Sequence, residues 1–311
     1  MSSHSTLIDF LNTFTTSTST STALSPKIAV ITSGGTAVDL EKNAVRSIEN
    51  FSTGTRGALS CEEFLKNDYK VIFLQRTGSK SPFASSIFSA ATTDLALLDR
   101  LFDFSKPIDT KTPTLSLSPS FHSSPNVINT LHSYQKYRSN LHTISYRSVD
   151  DYLSKLEQIA TTISNHTPIP NSSVVFYLAA AVSDFYVPAS QMSQHKIQSN
   201  GENLTLTLSP VPKALSTLKT TWCPRAMLIS FKLETDINIL IEKSKKAIKN
   251  YGVHLVVANE LHSRYDKVYF VQPSTEDFSV VEAAKNDAAL IEEVIVKHCV
   301  ERHINFASSS L

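Results

Sequence analysis

Short, wholly apolar runs recur along the chain, separated by segments of helical period. Lys27–Thr32, Tyr69–Leu74, Ser173–Ala181, Arg225–Phe231 and His254–Ala258 read as strands apolar on both faces, the signature of a parallel sheet covered on each side. Ala58–Leu65, Tyr146–Ser164 and Ile237–Asn250 carry apolar residues at helical spacing between them. Strand, helix, strand in this order predicts right-handed βαβ units. The expected class is therefore α/β, a doubly wound, mostly parallel sheet. Val268–Val271 and Phe278–Val281 add a small terminal β-ribbon, and Asn203–Leu208, which alternates strictly, reads as a half-exposed strand. Thr93–Phe102, Lys213–Lys219 and Lys285–His298 read as further helices.

The pattern is weakest at three places. Residues 1–26 are rich in Ser and Thr and predict a flexible arm, with at most one amphipathic turn at Leu7–Leu11. Prolines and serines punctuate residues 77–142, where 105–126 reads as a long exposed insert. Residues 305–311 read as a frayed tail, so residues 27–304 are expected to form one domain.

Composition narrows the function classes. A net charge of +1 provides no strong field toward nucleic acid or an anionic membrane, and no apolar run reaches the roughly 18 residues of a membrane span. Asp9 is the only charged side chain before Lys27, unlike an Arg-rich presequence. Three scattered cysteines without a C-x-x-C exclude a zinc ribbon and fit a reducing, cytoplasmic setting.

Candidate chemistry concentrates where the glycines are. The chain has seven, and four stand at 34, 35, 54 and 57. A buried strand ending in Ser33-Gly-Gly-Thr36, followed by Asn50-Phe-Ser-Thr-Gly-Thr-Arg-Gly57 and a helix, has the layout of a phosphate-binding turn. It matches neither G-x-G-x-x-G nor G-x-x-x-x-G-K-[ST]. Other strand ends carry small or polar groups: Ala180-Ala181 with Asp184, Phe231-Lys232, and Asn259. In a doubly wound sheet these ends share one edge, which points to a nucleotide with a smaller substrate beside it.

These residues resemble phosphopantothenoylcysteine synthetase, the phosphopantothenate–cysteine ligase family, in its stand-alone eukaryotic form. The resemblance rests on T-S-G-G-T at Thr32–Thr36, Val45-Arg46, N-F-S-T-G at Asn50–Gly54, Arg56-Gly57, F-Y-L-A-A-A-V-S-D-F-Y-V-P at Phe176–Pro188, H-K-I-Q-S at His195–Ser199, S-F-K-L-E-T-D at Ser230–Asp236 and V-V-A-N-E-L at Val256–Leu261. It implies a Rossmann-like ligase of coenzyme A biosynthesis that joins 4′-phosphopantothenate and L-cysteine through an acyl-nucleotidylate, releasing pyrophosphate and a nucleoside monophosphate. The implied nucleotide contacts are Gly34, Ser52, Gly54, Gly57, Phe231 and Asn259. The implied phosphopantothenate contacts are Arg46, Asn50, Ala180, Ala181 and Asp184. Lys196, Asp184 and Asn50 are the implied catalytic set, with Lys196 on a closing flap. Arg46 is implied to come from a neighbouring subunit, hence a homodimer with shared sites. ATP is the expected nucleotide, with CTP possible. Mg²⁺ is expected on the triphosphate because few protein cations are expected near it, and no protein ligand set for a metal is assigned.

Two other classes remain open. V-I-T-S-G-G-T also suits an NAD(P)-dependent oxidoreductase, although Tyr69–Leu74 ends without the ribose-binding acid and no Y-x-x-x-K occurs. A non-catalytic nucleotide-binding subunit is the third class.

Overall fold

The structure is a computed structural model that describes residues 3–13, 27–88, 96–105, 116–166, 169–199, 201, 203–275, 277–286 and 289–309. In chain order, helix α1 (Ser3–Asn12) precedes β1 (Lys27–Ser33), the hairpin β2 (Ala37–Asp39) and β3 (Ser47–Glu49), α2 (Thr55–Lys66) and β4 (Tyr69–Arg76). Short helices α3 (Ala84–Ile87), α4 (Ala96–Leu101) and α5 (Pro119–His122) lead to α6 (Pro125–Tyr137), β5 (Leu141–Tyr146) and α7 (Val149–Asn165). Then follow β6 (Val174–Leu178), the two-residue strands β7 (Phe185–Tyr186) and β8 (Ser209–Pro210), α8 (Ala214–Thr217), β9 (Met227–Glu234) and α9 (Ile237–Tyr251). The chain closes with β10 (Leu255–Glu260), β11 (Lys267–Pro273), β12 (Phe278–Ala284) and α10 (Ile291–Ser309).

Eight strands form one sheet in the order β12-β11-β10-β9-β6-β1-β4-β5. The six from β5 to β10 are parallel, whereas β11 and β12 run antiparallel at one edge. Strand order reverses between β1 and β6. The chain moves outward to β4 and β5 on one side and to β6, β9 and β10 on the other, which opens a crevice at the carboxyl ends of the central pair. The continuous apolar runs have a direct cause. Ile28 and Val30 of β1 pack into one core with α1, α7 and α9, whereas Ala29 and Ile31 pack into a second with α2 and α10. The ribbon expected at 268–281 extends the main sheet.

Several boundaries differ from the sequence reading, each for a physical reason. Tyr146 ends strand β5 instead of opening a helix, and α7 starts after Ser148, whose side chain accepts from the Asp151 N–H at 3.2 Å. β5 is an edge strand of mixed burial, so it lacks the apolar run of its neighbours. Within 105–126, residues 106–115 lie outside the described residues, but Pro119 and Pro125 open α5 and α6. Proline at the first turn of a helix loses no hydrogen bond, so these prolines are starts and not loop punctuation. Asn203–Leu208 pairs with no strand; only Ser209–Pro210 does, against Phe185–Tyr186, and Leu204 and Leu206 stay exposed. α10 begins at Ile291 and runs to Ser309, so residues 305–309 are helical, with Phe306 packed edge-on to His254 at 4.8 Å.

The amino-terminal arm also differs. Residues 14–26 lie outside the described residues, but α1 is docked. Leu7 and Leu11 are 1% and 0% exposed in the first core, and Phe10 stacks on His142 at 5.3 Å. We expect Leu11→Ala to destabilise the protein by about 2–4 kcal/mol in urea unfolding, the range for a buried Leu cavity. A change within about 0.5 kcal/mol, as on a mobile surface, would return this segment to a flexible arm.

Candidate active site

The crevice is held open by a seam between β1, β6 and the loop after β3. Ala181 N–H donates to Gly34 O at 2.9 Å, Thr36 N–H to Ala181 O at 3.1 Å, and Asn50 N–H to Thr36 O at 3.2 Å. The crowding is severe. A Cβ on Gly35 would lie 2.0 Å from the Asn50 carbonyl oxygen, so only glycine fits. Two threonines on the β1 side complete the seam: Thr32 Oγ1 accepts from Ala180 N–H at 3.1 Å and Thr36 Oγ1 from Ser183 N–H at 2.9 Å.

Helix α2 points its amino end at this seam. Gly34 and Gly54 both have positive φ, 90° and 78°, and no side chain caps the helix, so its first-turn N–H groups remain available to an anion. Gly57 lets the helix press on β1. A Cβ there would lie 2.4 Å from Ser33 Oγ.

The other wall comes from β9 and β10. Phe231 packs edge-on to the buried Tyr177 at 4.8 Å. Asn259 lies within β10 and is 5% exposed, with Arg56 of α2 reaching it across the cleft floor. Arg56 also bonds Glu292 at 2.7 Å and the Arg264 carbonyl. Burial pushes the Glu292 carboxyl above its ordinary range, and the Arg56 guanidinium offsets only part of that.

A cleft of about 980 Å³ results. It is lined by Asn50, Ser52, Ala180, Ala181, Asp184, Phe231 and Asn259 from among the sequence candidates. Gly34, Gly54 and Gly57 are not among its lining residues; they lie in the turn and helix start beside it, Gly54 between the lining residues Thr53 and Thr55. Two further candidates lie away from it. Arg46 sits between β2 and β3, bound to Glu41 at 2.6 Å and to the Ile197 carbonyl at 2.8 Å. Lys196 is exposed, on a segment laid along the 41–46 loop through Lys42 N–H to Ser193 O and Asn43 N–H to Gln194 O. It does not cover the cleft in this structure.

Sequence reasoning assigned no role to the cleft's cations. Arg56, Arg76, Lys213, Lys232 and Arg264 all line it, so the expectation of few protein cations near the site is corrected. Arg76 is paired with Glu49 at 2.6 Å, whereas Lys213 and Lys232 have no ion pair among the described residues. Arg56 and Lys232 stand within motifs already quoted, which was the available signal. Glu292 had none, because it lies 236 positions from its partner.

Comparison with known proteins places these features in a family. Residues 154–298 match the DNA/pantothenate metabolism flavoprotein C-terminal domain family. The chain is similar to human phosphopantothenate–cysteine ligase, 40% identical over 90% of this chain and 87% of that protein. It is similar to the phosphopantothenate–cysteine ligase CAB2 of Saccharomyces cerevisiae, 38% identical over 91% of this chain and 78% of that protein. The solved structure of a Cab2 mutant in complex with phosphopantothenate-cysteine superposes with a TM-score of 0.82 at 37% identity, covering 99% of this chain and 94% of that one.

The contact between α2 and β1 is open to direct test. Gly57→Ala gains helix propensity of about 1 kcal/mol but forces its Cβ onto Ser33. Against the usual overpacking cost of about 1–3 kcal/mol, we expect a net destabilisation of up to about 2 kcal/mol, together with a raised KM for nucleotide. A Gly57→Ala enzyme as stable and as tight for nucleotide as wild type would show that α2 does not depend on this approach.

Proposed function

The chain belongs to the phosphopantothenate–cysteine ligase family of coenzyme A biosynthesis, and on that premise we propose how its cleft performs the ligation. Phosphopantothenate and L-cysteine are its substrates, and the oxidoreductase and non-catalytic readings are not favoured. A carboxylate is a poor acyl electrophile, so a nucleoside triphosphate activates it. The phosphopantothenate carboxylate oxygen attacks the α-phosphorus, the P–O bond to the β-phosphate breaks, and pyrophosphate leaves. The cysteine amine then attacks the acyl carbon, loses a proton, and expels the nucleoside monophosphate with the carboxylate-derived oxygen.

The observation that carries this reading is the convergence of Asn50, Ser52, Ala180, Ala181, Asp184, Phe231 and Asn259 on one cleft at the reversal of strand order. The triphosphate is assigned to the α2 amino terminus with Gly34, Ser52, Gly54 and Gly57, and the nucleoside to Phe231 and Asn259. Asn50, Ala180, Ala181 and Asp184 are assigned to phosphopantothenate. Catalysis is then a matter of positioning and of charge placed where negative charge develops. ATP is the proposed nucleotide, and a competition assay against CTP decides it. Among the described residues no three His, Cys, Asp or Glu side chains group to hold a metal ion. Mg²⁺ would enter with the triphosphate substrate.

Arg46 and Lys196 are assigned roles that require movement or a second copy. Val45, next to Arg46, and Phe51, beyond β3 at the edge of the cleft, are 60% and 106% exposed, which suits a self-association face beside the site. Arg46 would present its planar fork to the phosphate of phosphopantothenate in the neighbouring site. Lys196 would reach the reacting carboxylate when its segment leaves the 41–46 loop and closes, excluding water from an easily hydrolysed intermediate. A cytoplasmic location suits the three free, buried cysteines; no helix among the described residues is long and apolar enough to cross a membrane.

Two measurements test the reading. Pyrophosphate release from ATP and Mg²⁺ should require phosphopantothenate and should not require a nicotinamide; release without phosphopantothenate, or none with all substrates, contradicts it. Mixing inactive Arg46→Ala and Asp184→Ala enzymes under subunit exchange should restore up to about a quarter of wild-type activity per site. No recovery, despite demonstrated exchange, contradicts a shared site.

A further inference from the structure

Asn259 presents the cleft with one kind of hydrogen-bonding group only. Its Nδ2 donates to two backbone carbonyls, Val257 at 3.1 Å and Lys232 at 3.2 Å. Both amide hydrogens are thereby used. Its Oδ1 accepts from Arg56 Nη2 at 3.4 Å. Turning the amide over would set Oδ1 against two carbonyl oxygens and the NH₂ group against a guanidinium, so three contacts would become repulsive. The surrounding network therefore dictates which way the amide faces. Oδ1 has two lone pairs and Arg56 takes one. Toward the cleft, one acceptor remains and no donor.

Arg56 is itself held. Its Nη1 donates to Glu292 Oε1 at 2.7 Å, and Nη2 donates also to the Arg264 carbonyl. The two paired side chains are 16% and 4% exposed. At that burial a carboxylate without its partner is strongly unfavourable, so the pair restrains Arg56 in a way that a surface pair would not. Glu292 touches no assigned substrate group, and the ligation chemistry gives it no other task.

We propose that Asn259 accepts a hydrogen bond from the nucleotide and donates none, and that Arg56, held by Glu292, is the positioning residue that keeps it so. This rests on the reading that the nucleotide lies along Phe231 and Asn259. The group it meets must carry a proton: a ribose hydroxyl or the exocyclic amino group of the base. Ionised triphosphate oxygens are acceptors, so they are turned away from β10 and toward the amino end of α2. The nucleotide thus acquires a direction across the sheet, nucleoside at β9 and β10 and phosphates at β1.

Steady-state kinetics on the full chain test this with ATP, 2′-deoxy-ATP, 3′-deoxy-ATP and inosine triphosphate, the last lacking the amino group. If CTP is the better substrate, the deoxycytidine triphosphates and UTP take their places. One analogue is expected to raise KM about tenfold with kcat within twofold, the scale of one lost hydrogen bond, while the other two match the parent nucleotide. Which analogue fails identifies the hydroxyl or the amino group. Glu292→Gln, which keeps the side chain's size, is expected to raise the nucleotide KM several-fold, leave the phosphopantothenate KM unchanged, and shrink the analogue's penalty below threefold. If all three analogues bind like the parent, or if Glu292→Gln raises both substrates' KM equally, the proposal is overturned. The analogue series needs no variant to fold. A folded Asn259→Ala enzyme separates the underlying reading: an unchanged nucleotide KM removes the nucleotide from Asn259 altogether. A raised KM with the analogue penalty intact overturns the acceptor assignment alone.

Discussion

The cleft depends on how closely three stretches of backbone approach at the reversal of strand order. Gly34–Thr36, Asn50 and Ala181 are tied by N–H···O bonds of 2.9–3.2 Å. The tie exists only because residue 35 has no Cβ to meet the Asn50 carbonyl. With the seam drawn tight, the chain beyond β3 must cross the end of β1 and enter α2 with its N–H groups facing the crevice. The small alanines after β6 then leave room opposite. On the proposed function, substrate positioning is therefore built into backbone geometry before any charged side chain acts.

The charged side chains form a second tier. Five cations line the cleft, but they are not equivalent. Arg56 and Arg76 are restrained by carboxylates from distant segments, whereas Lys213 and Lys232 have no ion pair among the described residues. Restrained guanidiniums suit fixed geometry, and unpaired ammoniums suit neutralising a charged ligand. A polyanionic ligand entering this cleft would meet substantial protein charge.

The sheet was legible in the sequence because burial on both faces leaves runs that no exposed element imitates. Val30 packs with one core and Ile31 with the other, so β1 has no polar position between Ile28 and Ile31. The edge strand β5 has such positions and was missed. Leu204 and Leu206 have the alternation of a strand, but no neighbour offers them a ladder. Leu7 and Leu11 sit in so polar a stretch that only tertiary packing reveals their burial. Among the cleft-lining residues, short motifs disclosed Asn50, Asp184, Phe231 and Asn259, because they lie within β9 and β10 or in the segments that follow β3 and β6. The Arg56–Glu292 pair joins α2 to α10 and depends on the folded path of the whole chain, which no local pattern records.

The central claim is that the phosphopantothenate carboxylate is activated by bonding its own oxygen to the α-phosphorus within this cleft. Mass spectrometry of products made from phosphopantothenate labelled with ¹⁸O in the carboxylate follows that oxygen. One ¹⁸O should appear in the nucleoside monophosphate for each amide formed, and none in pyrophosphate. Label in inorganic phosphate, or an unlabelled nucleoside monophosphate, would contradict the account.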